Sequence, residues 1–328
     1  MSKLKAHLLS QKPAQSRGYY DYSYLDSYAS DIQGKSDYSW IVPLIIVIGF
    51  ENETKRPKFG TRFLKENSDI YAHNAWDNYE VEEEFLNEII DKIDKNSKTK
   101  LTETEADELE RNASKYWNEF YSKHQNKFFK DRHWILTEFP ELTPITKNDV
   151  PKKFILEIGC GVGNTVFPLI QLDSRQSLFI YCCDFSENAI ELVKQNPLYN
   201  EEHCRAFVQD ITGDWTKSPI RNESLDIITM IFVLSAIDSD YHCRIIRNLL
   251  PFLKPNGLIL FRDYGQFDMA QIRFGDGHCI KDKFYVRGDR TRAYFFAENE
   301  VEHLFEQFGL EKIQLNVDRR LQNKMLPK

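Results

Sequence analysis

No C-x-x-C pair occurs in this 328-residue sequence, no apolar run is long enough to cross a bilayer, and no excess of positive charge marks the chain as a whole. Each absence excludes something. The six cysteines (Cys160, Cys182, Cys183, Cys204, Cys243 and Cys279) lack zinc-ligand spacing, and four of them sit in or beside apolar runs. Reduced, buried thiols are therefore expected in place of disulfides or metal ligands. The apolar run from Ile41 to Phe50 is ten residues long and contains Pro43, against the ~20 that a membrane helix needs. The formal net charge of −7 provides no global basic field, so any contact with nucleic acid has to be local. The first fifteen residues are basic but no long apolar stretch follows, unlike a secretory signal. The Tyr/Asp-rich stretch from Tyr19 to Tyr38 argues against a mitochondrial presequence. Residues 1–54 are expected to be a tail of uncertain order.

What is present begins with residues 154–164, Phe-Ile-Leu-Glu-Ile-Gly-Cys-Gly-Val-Gly-Asn. A buried strand ending at Ile158 runs into Gly159, Gly161 and Gly163, which permit a sharp turn and a close approach to a ligand. A dinucleotide fingerprint would place its third glycine where Asn164 stands, and it usually lacks an acid before the first glycine. The E-x-G-x-G-x-G pattern is similar instead to motif I of class I S-adenosylmethionine (SAM) methyltransferases, where the turn holds the amino-acid end of SAM.

The downstream residues extend that reading. Leu178 to Cys183 form a second apolar run closed by Asp184, an acid placed like the usual partner of ribose hydroxyls. Ser186 is expected to cap a helix over Glu187–Gln195. A third strand, Ala206 to Gln209, ends at Asp210 and Ile211. A fourth runs from Leu225 to Leu234 and carries Ile231, and a fifth runs from Gly257 to Phe261. Helix-like segments separate them, as a parallel sheet requires. By resemblance to the methyltransferases, Asp210 faces the adenine amino group and Ile211 packs against the ring.

Three basic segments carry aromatic residues. Lys55 to Lys65 holds five basic residues, Lys58 and Arg62 among them, and no acid. Such clusters bind phosphates through counterion release, and they are equally compatible with a solvated loop. Val81, Phe85, Ile89 and Ile93 then mark an amphipathic helix, and a second helix carries Leu109, Ala113, Trp117, Phe120 and Tyr121. In Asn126 to Glu141, Lys127, Lys130, Arg132 and His133 alternate with Phe128, Phe129 and Trp134. Cations for phosphates and rings for splayed bases are the combination used on single-stranded or loop RNA; an aromatic hinge between an appendage and the core explains Phe128 and Trp134 as well. A third patch follows the fifth strand, with Arg262, Asp263, Tyr264, Arg273, Arg287, Arg290 and Arg292 and a hairpin expected about Gly288-Asp289.

Lys58-Phe-Gly-Thr-Arg-Phe-Leu, His73-Asn-Ala-Trp-Asp77, Phe128-Phe-Lys-Asp-Arg-His-Trp134, Arg262-Asp-Tyr-Gly265 and Phe284-Tyr-Val-Arg287 stand beside the glycine turn. Together they resemble the tRNA 3-methylcytidine methyltransferases, and the first two elements resemble the branch acting on threonine tRNAs. The likeness covers about residues 55–318. It implies an α/β class I Rossmann-like fold with a mixed seven-stranded sheet over residues 150–328, and a mainly helical tRNA-binding appendage over 55–149. The cofactor it implies is SAM, held by Trp117, Tyr121, Gly159, Gly161, Gly163, Asp184, Asp210, Ile211 and Ile231. Phe129, Lys130, Arg132, His133, Arg273, Arg287, Lys58 and Arg62 would meet the substrate. Asp263, Tyr264 and Arg132 would serve catalysis: Asp263 accepting from the exocyclic amine, Arg132 holding phosphate or the base carbonyl, and Tyr264 shaping the pocket.

The implied reaction places a methyl group on ring nitrogen 3 of cytidine at position 32 of the anticodon loop. No N/D-P-P-Y/F motif of exocyclic-amine enzymes occurs. The implied partner is the tRNA anticodon stem-loop, with an accessory protein or an aminoacyl-tRNA synthetase left open, and neither membrane nor metal is expected. A cytoplasmic location follows, compatible with a nuclear pool. Two alternatives stay open: a class I methyltransferase acting on another RNA, a protein or a small molecule, and a non-catalytic RNA-binding subunit.

Overall fold

The computed structural model describes residues 38–41, 43–49, 62–65, 75–77, 79–81, 83–145 and 151–323. Its centre is a seven-stranded sheet. Five strands are parallel: β4 (Lys153–Ile158), β5 (Leu178–Asp184), β6 (Cys204–Val208), β7 (Leu225–Ile231) and β8 (Leu253–Tyr264). β2 (Pro43–Gly49) lies antiparallel between β8 and β12 (Glu311–Val317), giving the order β12-β2-β8-β7-β4-β5-β6. The class I fold with a mixed seven-stranded sheet is therefore present. Two small sheets flank it, one of β1 (Tyr38–Ile41), β13 (Arg320–Asn323) and β3 (Ala75–Asp77), the other of β9 (Cys279–Lys281), β10 (Phe284–Val286) and β11 (Arg292–Tyr294). β10 and β11 are the hairpin expected about Gly288-Asp289.

The parallel strands read as continuous apolar runs because helices cover both faces. Leu156, Ile158, Ile228, Met230, Ile259 and Phe261 fill one core. Ile155, Ile180, Cys182, Ile227 and Leu260 fill the other, as the two-residue period of a strand demands. At about 1.5–3 kcal/mol per buried large side chain, these layers dominate the stability of the sheet. All six thiols are free, and all but the half-buried Cys243 are buried.

Four local expectations change. The segment taken as a tail of uncertain order contains β1 and β2; a run too short for a bilayer is long enough for a sheet strand, and the rest of residues 1–54 lies outside the described residues. The second amphipathic helix is two, Glu103–Arg111 and Ala113–His124, divided at Asn112 (φ −101°, ψ 11°). There the Asn112 side chain donates to the Glu108 carbonyl at 2.9 Å, a local bond that competes with helix continuation. The fourth strand stops at Ile231, since Phe232 takes a φ of +57°. The fifth runs on to Tyr264, so Arg262, Asp263 and Tyr264 are its last residues and not a loop beyond it.

The chain runs from β4 through β5 to β6 on one side and returns to β7 and β8 on the other. Strand order reverses at β4, and the crevice beyond the carboxyl ends of such strands is where open α/β sheets bind ligands.

Candidate active site

A cavity of about 910 Å³ opens at that crevice. Gly159, Gly161, Asp184, Asp210, Ile211 and Ile231 line its floor. The turn is held by its acid: Asp184 accepts from the Gly161 N–H at 2.8 Å and from the Ser186 N–H at 2.9 Å. Ser186 in turn caps the helix Glu187–Gln195, accepting from the Ala189 N–H at 3.2 Å. Burial raises the Asp184 pKa, opposed by these backbone bonds. Asp210 accepts from the Thr212 N–H and hydroxyl at 2.8 and 2.7 Å.

Gly159 and Gly161 stand on the cavity wall, and protein atoms fill the places that a Cβ on the alternate glycines would take. A Cβ on Gly159 would lie 2.4 Å from Val233 Cγ2, and one on Gly161 would lie 2.6 Å from the Tyr121 hydroxyl oxygen. Gly163 is not on the cavity wall, and the Phe167 ring occupies the place of its Cβ at 2.4 Å.

Aromatic rings form the roof. Trp117 and Tyr121, one helical turn apart, stack at 5.9 Å between centroids. Phe128 and Phe129 close against Phe120 at 4.7 and 5.7 Å. Trp117, Tyr121, Phe129, Lys130, Arg132 and His133 all border the cavity. Arg132, however, is only 15% exposed, and its guanidinium is engaged by the protein itself. It donates to Glu157 at 3.2 Å and to the Thr165 hydroxyl at 2.7 Å. Burial pushes the Glu157 pKa up to about 7, with Arg132 opposing the rise.

Tyr264, Arg287, Phe232, Ser235 and Thr291 also line the cavity. The Arg287 guanidinium lies 5.7 Å from the Tyr264 ring centroid and donates to the Arg292 carbonyl at 2.7 Å. Asp263 lies behind this wall, fully buried. Its carboxylate accepts from the Ser235 N–H and the Tyr264 N–H, both at 2.9 Å. Asp263 itself does not line the cavity, whereas Ser235 and Tyr264, whose backbone it holds, do. Nor does Asp263 pair with its neighbour, because successive strand residues face opposite ways. Arg262 instead meets Glu138 and, at 3.7 Å, Asp318.

Other proposed substrate residues lie elsewhere. Arg273 ends the short helix Met269–Arg273 and does not line the cavity. Arg62 pairs with the buried Asp77 at 3.4 Å, and Lys58 lies outside the described residues. Sequence reasoning missed Phe232, whose positive φ leaves no sequence signal and which faces Tyr264 at 5.0 Å. A strained non-glycine residue at a cleft is a common mark of function. Among the described residues, no group of three or more metal-ligating side chains comes together, and no helix is long and apolar enough to cross a membrane.

A family profile described as a methyltransferase domain matches residues 156–259, from the middle of β4 into β8. The tRNA N(3)-cytidine methyltransferase METTL2 of Danio rerio is 45% identical over 298 residues, covering 82% of this chain and 84% of its own. The human METTL2B, of the same description, is 41% identical over 336 residues, with 82% and 89% covered. The chain belongs to the tRNA N(3)-cytidine methyltransferases. The Schizosaccharomyces pombe member trm140 is 42% identical over 263 residues, with 80% and 85% covered. As a member of this family the chain is a SAM-dependent enzyme acting on cytidine N3 of tRNA. The site of this tRNA N(3)-cytidine methyltransferase fits SAM: a buried acid ends β5 beside the glycine turn, and an acid and a buried Ile211 follow β6. Its volume lies at the upper end of the roughly 300–1,000 Å³ of small-molecule sites, enough for the donor and a base beside it.

Proposed function

We propose that this enzyme methylates the cytidine at position 32 of the anticodon loop, in threonine tRNAs. The observation that carries the reading is the placement of Phe129, Lys130 and His133 on the same cavity as the glycine turn and as Tyr264 and Arg287. Residues 150–328 act as the methyltransferase domain and residues 55–149 as the tRNA-binding appendage. Work on a cytoplasmic tRNA pool suits this assignment, with an accessory protein or synthetase a compatible partner.

Ring nitrogen 3 lies on the pairing edge, so the base has to be unpaired or flipped before it reacts. A loop cytidine meets that condition. SAM supplies an electrophilic sulfonium methyl group when bound. The nitrogen carries a lone pair and no proton, so the protein needs no general base before attack, and alignment is the main task, worth up to about 7–11 kcal/mol in well-oriented reactions. Tyr264 and Phe232 offer ring faces to the base, while Lys130 and His133 stand exposed at the rim for phosphates. The Asp263 carboxylate fixes the backbone at Ser235 and Tyr264 and places negative charge behind the ring that becomes cationic.

A pH dependence follows. Burial pushes the Asp263 pKa up to about 6, with hydrogen bonds from Ser235 and Tyr264 opposing the rise. Because the folded state binds this proton more tightly than the unfolded state, Asp263 lowers stability as pH rises between the unfolded value near 3.8 and about 6. Activity moves the other way, since the ionised form is the one that accepts both N–H bonds. The expected result is a kcat/KM that falls below pH about 6 in wild type. In Asp263→Asn the rate drops at least about tenfold, by the loss of a buried charged acceptor, and the acidic limb disappears. A variant with full activity and the wild-type profile would remove Asp263 from the mechanism.

The substrate assignment is tested by nucleoside mass spectrometry of individual tRNAs from cells lacking the gene. Loss of 3-methylcytidine from threonine tRNA is the expected outcome. An unchanged threonine tRNA with loss elsewhere would reassign the substrate.

A further inference from the structure

We infer that Asn164 couples the donor and acceptor halves of the cavity as a positioning residue, so that each ligand raises the affinity for the other. This rests on the tRNA-contacting role proposed for residues 128–134. Asn164 belongs to the glycine turn and is only 7% exposed. Its side-chain nitrogen donates to the Phe129 carbonyl at 3.2 Å and to the Asp131 carboxylate at 3.0 Å. Its own carbonyl accepts from the Arg132 N–H at 2.8 Å. Arg132 then closes the circuit by donating to Thr165 and Glu157, at 2.7 and 3.2 Å.

Five bonds thus fasten a four-residue stretch to Asn164 and to Glu157 and Thr165 on either side of the turn, and through the Gly161 N–H that turn is fastened to Asp184. Both protons of the Asn164 amide are used by one short segment. A shift of the segment would break these part-buried bonds together. A ligand that orders the turn therefore orders Phe129, Lys130 and His133 above it. Linkage makes the effect reciprocal: tRNA held by the segment must improve binding at the turn by the same factor.

The test is to measure tRNA binding with and without S-adenosylhomocysteine, and S-adenosylhomocysteine binding with and without tRNA, alongside hydrogen exchange at residues 129–134. Wild type is expected to show mutual enhancement of about fivefold or more, the lower range of typical coupling, and protection of the Arg132 amide on adding S-adenosylhomocysteine. Asn164→Ala should reduce the enhancement to within about twofold of none, while each ligand alone still binds. N164D should abolish it by setting two carboxylates against each other, and N164D with D131N should restore part of it by returning a donor. That pair keeps the test decisive if Asn164→Ala does not fold. Independent binding in wild type, coupling that survives N164D, or no difference between N164D and the double variant would overturn the inference. If wild type binds and couples both ligands but leaves threonine tRNA unmethylated, the substrate assignment fails and the coupling stands.

Discussion

Arg262→Leu is expected to destabilise the fold by about 3–5 kcal/mol, the usual cost of breaking a buried ion pair by removing one partner. Arg262 has no exposed surface. It pairs with Glu138 and lies 3.7 Å from Asp318, which also meets Arg320 at 3.1 Å. Arg320 reaches Asp77 at 3.3 Å, and Asp77 meets Arg62 at 3.4 Å. Three carboxylates and three guanidiniums alternate along this chain, so removing one inner member leaves charge buried without its counter-ion. The same guanidinium lies 4.9 Å from the Trp134 ring centroid and 5.8 Å from that of Phe232, both on the cavity wall. Methyl transfer should therefore fall even at temperatures where the variant is folded. Chemical denaturation gives the stability. Adding Glu138→Leu to Arg262→Leu should recover most of the loss, because an apolar pair of similar volume removes the stranded carboxylate while Asp318 keeps Arg320. A single variant costing less than about 1 kcal/mol would mean that the pair is screened as surface pairs are.

Gly161→Ala should abolish measurable SAM binding, a loss of about a hundredfold or more if each of two penalties costs more than 1.4 kcal/mol. The first is the left-handed backbone, φ +54°, which costs a residue with a Cβ about 1–2 kcal/mol. The second is the overlap of the new methyl with the Tyr121 hydroxyl oxygen at 2.6 Å. Tyr121 is buried in the roof and cannot swing clear without moving Trp117 and Phe120, which its ring contacts. Combining Gly161→Ala with Tyr121→Phe separates the two. The nearest remaining ring atom is then 3.5 Å away, an ordinary contact, so only the backbone term persists and binding should return to within about tenfold of wild type. Calorimetry on the two variants checks this. No recovery in the double variant would show that backbone strain alone accounts for the loss.

Much of the donor half was legible before any coordinates. The strand, the glycine turn, Asp184 and Asp210 announce themselves because each signal is local: an apolar run of strand length, a turn, and an acid at a strand end. Ser186 could be placed as a cap for the same reason. The arginines were legible only as charge. Arg62, Arg132 and Arg262 look alike in sequence, yet each is neutralised by an acid 15, 25 and 124 positions away respectively. The resemblance implied Asp263 as a substrate contact beyond the fifth strand, and the strand's extra length sets it behind the cavity wall.

By itself the sequence determined the class of fold, the donor turn and the family, since all three rest on short contiguous patterns. Only the tertiary structure decided which charges face the cavity and which hold it together, what fills the space beside each glycine, and that a run near the amino terminus completes the sheet. Those outcomes depend on groups far apart in the chain coming within a few ångströms, and buried charges have to find their partners wherever the fold brings them.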